Sequence, residues 1–168
     1  SAPPPTGSGE ACEANEEPPE GGPTGGGARQ QARTEWNQGL TMFHYIGHGA
    51  DNTLADEQLF ITDDIFGLTN GMKRGLFLAF SCDVGIFDQI TNQSMAETWT
   101  SQPEGAAIGA IAAAQVSYIS PNDALSDNFY QSLFPERLVD NDVTPARALW
   151  EAKVRIGMSR LTSATIDD

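Results

Sequence analysis

Three unbroken apolar runs constrain the fold of this chain more than any other feature. They are LTMFHYI at residues 40–46, LFLAF at residues 76–80 and AAIGAIAA at residues 106–113. None alternates between apolar and polar residues, as a strand with one face in water would. Continuous runs of this length are typical of parallel strands that are covered on both faces. The sequence therefore predicts a parallel sheet of three strands.

Signals for helices lie between and after these runs. Ser94 and Glu97 form a capping box, which predicts the start of one helix. Thr144 and Pro145 predict another, as its N-cap and its first helical residue. The predicted helices cover residues 63–68, 94–100, 122–134 (an apolar stripe at spacing four) and 144–157. Strands that alternate with helices in this way indicate the α/β class.

The two ends of the chain differ from this middle part. Residues 1–28 hold six of the ten prolines, five glutamates and no basic residue, and their only apolar side chains are alanines and Cys12. Such a segment buries too little surface to offset its ordering entropy. We therefore predict a disordered linker over residues 1–31, a folded core over 32–160 and a tail over 161–168. Three strands are fewer than the five or six of a typical sheet, so we expect the core to be part of a larger domain.

The charge of the chain excludes several classes of function. A net charge of −14, from 23 acidic and 9 basic residues in 168, leaves no excess of Lys and Arg to neutralise phosphates, so no nucleic-acid partner is expected. No apolar run approaches the length of about 18 residues that a membrane span requires. No charged-then-apolar leader opens the sequence, so no signal peptide is expected within it.

Residues with reactive side chains follow two of the predicted strands. The first strand ends in Gly47-His48-Gly49, and the second is followed by Cys82. Reactive groups gather at the carboxyl ends of parallel strands, and a thiol beside an imidazole suits a nucleophilic cysteine with a histidine partner. A glycine N–H beside the histidine suits an oxyanion site. The alternative for each residue is structural, an inert buried thiol or a histidine in a glycine turn; His44, inside the strand, is expected to be a hydrogen-bonded core residue.

Other kinds of site fit the sequence less well. The segment Gly47–Asn52 begins like a dinucleotide-binding loop but lacks its third glycine and the helix that should follow. The cysteines and histidines do not have zinc-site spacing. Residues 71–75, the most basic segment, precede a strand and are expected to form a tight turn. The carboxylates near the two strand ends have the chemistry to ligate Ca²⁺, although not at EF-hand spacing; they are Asp51, Asp56, Glu57, Asp63, Asp64, Asp83 and Asp88.

Several segments resemble the gingipain family of cysteine peptidases. They are FHYIGHG at 43–49 with LF at 59–60, LAFSCDVGIFD at 78–88, SMAE at 94–97 and GAAIGA at 105–110. The resemblance covers about residues 39–153 and is shared in outline with the wider caspase-like group. It implies an α/β fold, a caspase-like three-layer sandwich with a mainly parallel sheet. That sheet would be incomplete here, because the family has further strands before the histidine strand.

The resemblance also implies the roles of individual residues. Cys82 would be the nucleophile of a cysteine endopeptidase, and His48 the general acid/base that protonates the leaving amine. The backbone N–H groups of Gly49 and Cys82 would hold the oxyanion. The substrate-binding pocket would include Gln115, Val116, Ser117 and Tyr118.

The family's wider properties complete these expectations. They are a protein or peptide substrate, a bacterial source, a secreted or cell-surface location, and no cofactor for the chemistry, with Ca²⁺ as a structural ion. A preceding peptidase segment of the same precursor is the expected partner. Two alternatives remain, a non-catalytic interaction module on the same fold and one part of a processed protease.

Overall fold

The computed structural model describes residues 26–135 and 143–164, and the chain divides into two compact units, residues 1–119 and 120–168. The elements of the first unit are α1 (Gly26–Gln38), β1 (Met42–Ile46), β2 (Thr53–Leu54), β3 (Phe60–Ile61), α2 (Thr62–Phe66), β4 (Gly75–Phe80), α3 (Met95–Ser101) and β5 (Ala107–Ala112). Helix α4 (Ile119–Leu133) begins at the boundary, and α5 (Pro145–Ala164) lies in the second unit.

The first unit is built on a three-stranded parallel sheet in the order β1-β4-β5. The last paired residues of β1 and β4 are Ile46 and Phe80, so these two strands end side by side. The three predicted strands are confirmed, with their ends shifted by two residues at most. Strands β2 and β3 form an antiparallel pair that the sequence did not predict, because two residues each are too few for a periodic signal.

An aromatic cluster forms the core on one face of this sheet. The rings of Trp36 from α1 and Trp99 from α3 lie 4.4 Å apart, and Trp99 stacks on Phe77 of β4 at 4.8 Å. Phe60 lies 5.0 Å from Trp99, and all four side chains are fully buried. Each aromatic pair adds about 0.5–1.5 kcal/mol beyond the area that it buries. Helices α1 and α3 are therefore held against the same core.

The predicted start of the folded core at residue 32 is wrong, because it falls inside α1. Arg29 donates two hydrogen bonds to the Asp64 carboxylate, at 2.8 and 3.1 Å, and Asp64 is only 2% exposed. This long-range ion pair gives Arg29 a tertiary contact that composition could not reveal. Residues 1–25 of the predicted linker, with Cys12, lie outside the described residues.

The C-terminal boundary is also corrected, since α5 continues to Ala164 past the predicted limit of 160. Two of the predicted helix starts are supported by capping hydrogen bonds. Ser94 accepts from the Glu97 N–H while Glu97 accepts from the Ser94 N–H, which confirms the capping box. Thr144 Oγ1 accepts from the Arg147 N–H at 3.2 Å, as an N-cap should. Helix α4 begins three residues before its predicted start.

The predicted tight turn before β4 is confirmed and is anchored by Asn70. The Lys73 N–H donates to the Asn70 carbonyl at 3.0 Å, which closes the turn. The buried Asn70 amide group donates to the carbonyl oxygens of Lys73 and Ala106 and accepts from the Ala106 N–H, at 2.6–2.9 Å. This side chain therefore fixes the turn to the segment that enters β5.

The expected core role of His44 is not observed, because this side chain is exposed. Its partners in the β1–β4 register show that it lies on the sheet face opposite Phe43 and Phe77. The imidazole packs against the ring of Phe80 at 5.4 Å, and partial burial lowers the pKa of His44 below 6.5.

None of the helices within residues 26–135 and 143–164 is both long and apolar enough to cross a bilayer.

Candidate active site

The turn that carries His48 follows β1 directly. Gly47 has a φ of +153°, and a Cβ atom there would lie 2.6 Å from the hydroxyl oxygen of Tyr45. A side chain is thus excluded by backbone conformation and by space. The Tyr45 hydroxyl donates to the His48 carbonyl oxygen at 2.6 Å, and the Ala55 N–H donates to the same oxygen at 3.0 Å. The chain around the histidine is therefore closely specified.

Cys82 lies two residues after β4, just before a sharp turn of the chain. Asp83 has a φ of +55°, in the left-handed region that non-glycine residues seldom occupy. The Cys82 side chain is 1% exposed. Its sulfur donates to the Ser117 carbonyl oxygen at 3.2 Å and accepts from the Ser117 N–H at 3.2 Å. In this conformation the thiol is held by the segment that follows β5.

A hydrogen bond joins the histidine turn directly to the cysteine segment. The hydroxyl of Ser81, the residue before Cys82, donates to the carbonyl oxygen of Gly47 at 2.8 Å. Gly49 lies so close to this seryl group that an added Cβ would contact Ser81 Oγ and would lie 3.0 Å from a methyl carbon of Val84. The two chain segments thus remain packed together beyond the end of the β1–β4 ladder.

Helix α3 provides a second link between the two segments. Its first N–H, from Met95, donates to the Asp51 carbonyl oxygen at 2.6 Å, and the Ala96 N–H donates to the Val84 carbonyl oxygen at 2.9 Å. One of these acceptors follows His48 and the other follows Cys82. The capped start of α3 therefore holds both loops against one rigid element.

The segment predicted to bind substrate runs beside the cysteine loop. The Gly85 N–H donates to the Ala113 carbonyl oxygen at 2.8 Å, and the Asp83 N–H donates to the Gln115 carbonyl oxygen at 3.4 Å. Val116 and Tyr118 are 46% and 47% exposed, whereas Ser117 between them contacts the sulfur. Large side chains are thus presented to solvent on both sides of the residue that covers the thiol.

Several polar groups at this site have no partner among the described residues. His48 Nδ1 is buried and makes no hydrogen bond there. Likewise, neither the Gly49 nor the Cys82 N–H group donates to another described residue. These two N–H groups are the ones that the resemblance assigns to the oxyanion.

Within residues 26–135 and 143–164, no group of three or more His, Cys, Asp or Glu side chains is placed to hold a metal ion. The carboxylates considered for Ca²⁺ therefore do not converge in this part of the chain. Asp64, for example, is engaged by Arg29 and by the N–H of Ile61.

The structure places each predicted site residue on one of three neighbouring segments, after β1, β4 and β5. The hydrogen bond from the Tyr45 hydroxyl to the His48 carbonyl oxygen was not predicted. Its only signal in the sequence is the position of Tyr45 two residues before Gly47. The hydrogen bond from the Ser81 hydroxyl to the Gly47 carbonyl oxygen was not predicted from the sequence either.

Comparisons with known proteins bear on this site. The model of peptidase family C25 matches residues 11–166. The crystal structure of the Arg-specific cysteine proteinase gingipain R is similar with a TM-score of 0.66 at 19% identity, over 74% of this chain and 29% of that one. A complex of the pro- and mature domains of a gingipain R from Porphyromonas gingivalis is similar with a TM-score of 0.57 at 21% identity, over 65% and 26%.

These structural similarities show the fold, which is the α/β fold of gingipain R with a parallel sheet. In the described part of this chain that sheet is small. The chain spans less than a third of the length of either solved structure. A search of curated proteins gives no significant match.

Proposed function

Since this chain belongs to peptidase family C25, a family of cysteine peptidases, we propose that it carries the catalytic residues of a cysteine endopeptidase. The observation that carries the proposal is the placement of His48 and Cys82 just beyond the ends of adjacent parallel strands, with the Ser81–Gly47 hydrogen bond between their segments. An imidazole and a thiol at neighbouring strand ends have the chemistry of a nucleophile with its acid/base partner.

In the proposed reaction, the Cys82 thiol gives its proton to His48 as its sulfur attacks the carbonyl carbon of the scissile peptide bond. The carbonyl oxygen becomes an oxyanion, and the N–H groups of Gly49 and Cys82, which donate to no described residue, are the donors proposed to stabilise it. His48 then protonates the leaving amine as the C–N bond breaks. Water, deprotonated by His48, hydrolyses the resulting thioester, which releases the new carboxyl terminus and restores the thiol.

The contacts of Ser117 add one step before this chemistry. Because the sulfur is buried against Ser117, the segment of residues 115–118 must move aside when substrate enters. The exposed side chains of Val116 and Tyr118 are then available to line a substrate-binding pocket. We therefore assign substrate binding to Gln115, Val116, Ser117 and Tyr118 as part of the same proposal.

The proposed partners follow from the small sheet and from the short span of the chain. A three-stranded sheet and coverage below a third of gingipain R both favour completion of the fold by a further segment of the same precursor. The similar complex contains pro- and mature domains, which makes contacts between segments of one precursor a reasonable model. We also propose a secreted or cell-surface location, to be tested by fractionation of the native source.

The test uses the other cysteine, Cys12, and the other histidine, His44, as controls. Peptide substrates with Arg, Lys or Asp before the scissile bond are offered to the chain and to its Cys82→Ala and His48→Ala variants. We expect at least one substrate to be cleaved, with a loss of about 10³-fold or more in both variants. Cys12→Ser and His44→Asn should retain activity. Cleavage that survives Cys82→Ala would refute the proposal.

The alternative from a different class is a non-catalytic module or one part of a processed protease. The sheet of the described residues favours it, because it has only three strands and the family resemblance implies further strands. A folded chain that cleaves none of the substrates, alone or with the preceding segment of its precursor added, would support the non-catalytic module. Activity only after that addition would support the processed protease.

A further inference from the structure

The imidazole of His48 is positioned without a side-chain hydrogen bond at Nδ1 from any described residue. Nδ1 is buried, and it makes no hydrogen bond to any of those residues. Most histidines that act in catalysis are oriented through the nitrogen that does not react. Among the described residues, the contacts that fix the position of the ring are therefore those of the turn that carries it.

Two hydroxyl groups fix that backbone on either side of His48. The carbonyl oxygen before the histidine, that of Gly47, accepts from Ser81 Oγ at 2.8 Å. The carbonyl oxygen of His48 itself accepts from the Tyr45 hydroxyl at 2.6 Å. Both peptide planes that flank the histidine Cα atom are thus held by side chains.

The two hydroxyl groups attach the turn to different parts of the site. Ser81 directly precedes Cys82 and is fully buried, so its hydrogen bond couples the histidine turn to the chain of the nucleophile. It is the first link beyond Ile46 and Phe80, where the strand ladder ends. Tyr45 lies in β1, so its hydrogen bond attaches the turn to that strand. Its hydroxyl also occupies the space that a side chain at residue 47 would need.

We propose that Tyr45 and Ser81 are positioning residues that set the distance and the angle between the His48 ring and the Cys82 sulfur. This inference rests on the proposed cysteine peptidase function. Neither hydroxyl group is assigned a contact with the reacting atoms. Their removal should therefore lower the rate of the chemical step and leave substrate binding almost unchanged.

The test compares Tyr45→Phe and Ser81→Ala with Thr98→Val. Thr98 is also buried, but its hydroxyl donates to the Ser94 carbonyl oxygen within the N-terminal turn of α3 and links no loops. Each positioning variant should lower kcat by about tenfold or more, with KM within about twofold. The Thr98→Val variant should keep both constants. An unchanged kcat in both positioning variants of an active enzyme would overturn the inference.

A second readout does not depend on turnover. The chain has only two histidines, so their ring carbon-13 NMR signals can be assigned with the His44→Asn variant. We expect the His48 signal to broaden or split in Tyr45→Phe and Ser81→Ala, while that of His44 stays sharp. If the chain shows no peptidase activity, alone or with the preceding segment of its precursor added, the proposed function fails and this readout alone decides. An undisturbed His48 signal in both variants would then refute positioning by these hydroxyl groups.

Discussion

The thiol of Cys82 and the backbone of Ser117 are joined by two hydrogen bonds of 3.2 Å, one donated in each direction. Cys82 is 1% exposed. The residue proposed as the nucleophile is thus held by the segment proposed to bind substrate. This arrangement makes access to the sulfur depend on a movement of residues 115–118.

The first prediction concerns the reactivity of this thiol toward a small reagent. In a Cys12→Ser background, where Cys82 is the remaining cysteine, the folded chain should react with a simple disulfide reagent about 100-fold more slowly than the unfolded chain, because a local opening must come first. Stopped-flow absorbance with and without denaturant gives the ratio. Equal rates in the two states would mean that the segment does not shield the sulfur.

The second prediction concerns Gly49, which packs against Ser81 and Val84 without room for a side chain. Gly49→Ala should displace the histidine turn and lower kcat/KM by about 100-fold, since misplacement by 1 Å has effects of this size. Gly157→Ala is the matched control, because nothing lies within 4 Å of a Cβ at this helical position. It should retain activity and gain about 0.5–1 kcal/mol of stability. Full activity of Gly49→Ala would show that the turn tolerates displacement.

The third prediction tests the corrected start of the folded core. Asp64 is buried and paired with Arg29 and Arg33 of α1, whereas the adjacent Asp63 is exposed. Because both arginines are partly exposed, we expect Asp64→Ala to lower the free energy of unfolding by about 2 kcal/mol, below the cost for a fully buried pair. Asp63→Ala should change it by less than about 0.5 kcal/mol. Equal effects in urea unfolding would contradict docking of α1 through Asp64.

The strands and helices could be predicted because their signals are local. Residues 76–80 and 107–112 are continuous apolar runs, and the capping residues Ser94 and Thr144 lie directly at their helix starts. The start of α1 could not be predicted in this way. Its first residues have no apolar side chain larger than alanine. Their helical conformation is stabilised by the contact of Arg29 with Asp64, which lies 35 positions away.

The residues of the candidate site could be singled out from the sequence, but the hydrogen bonds that connect them could not. His48 and Cys82 stand out because each follows an apolar run, and parallel strands bring their ends together. The hydrogen bonds of Ser81 and Ser117 span 34 and 35 positions in the sequence, and no local pattern encodes them. The covered state of the thiol became visible only when the segment after β5 was placed in space.

The fourth prediction concerns pH and His44. Partial burial lowers the pKa of His44 below 6.5, so the unfolded chain takes up this proton at a higher pH than the folded chain. Stability should therefore fall as the pH drops from about 6.5 toward the lower pKa of the folded state, and should not depend on His44 above that range. Thermal unfolding of wild type and His44→Gln at about pH 7.5 and 5.5 measures this, since carboxylates contribute equally to both proteins. The acid-induced loss should be smaller in the variant; equal losses would contradict the prediction.

The central claim is that Cys82, with His48 as its partner, attacks the carbonyl group of a peptide. The most direct test is covalent modification by a peptidyl acyloxymethyl ketone, followed by mass spectrometry of the intact chain and of its peptides. We expect one adduct per chain, on Cys82, formed faster than that of a simple alkylating reagent and slowed strongly by His48→Ala but not by His44→Asn. Modification of Cys82 no faster than of a free thiol, with no dependence on His48, would contradict it.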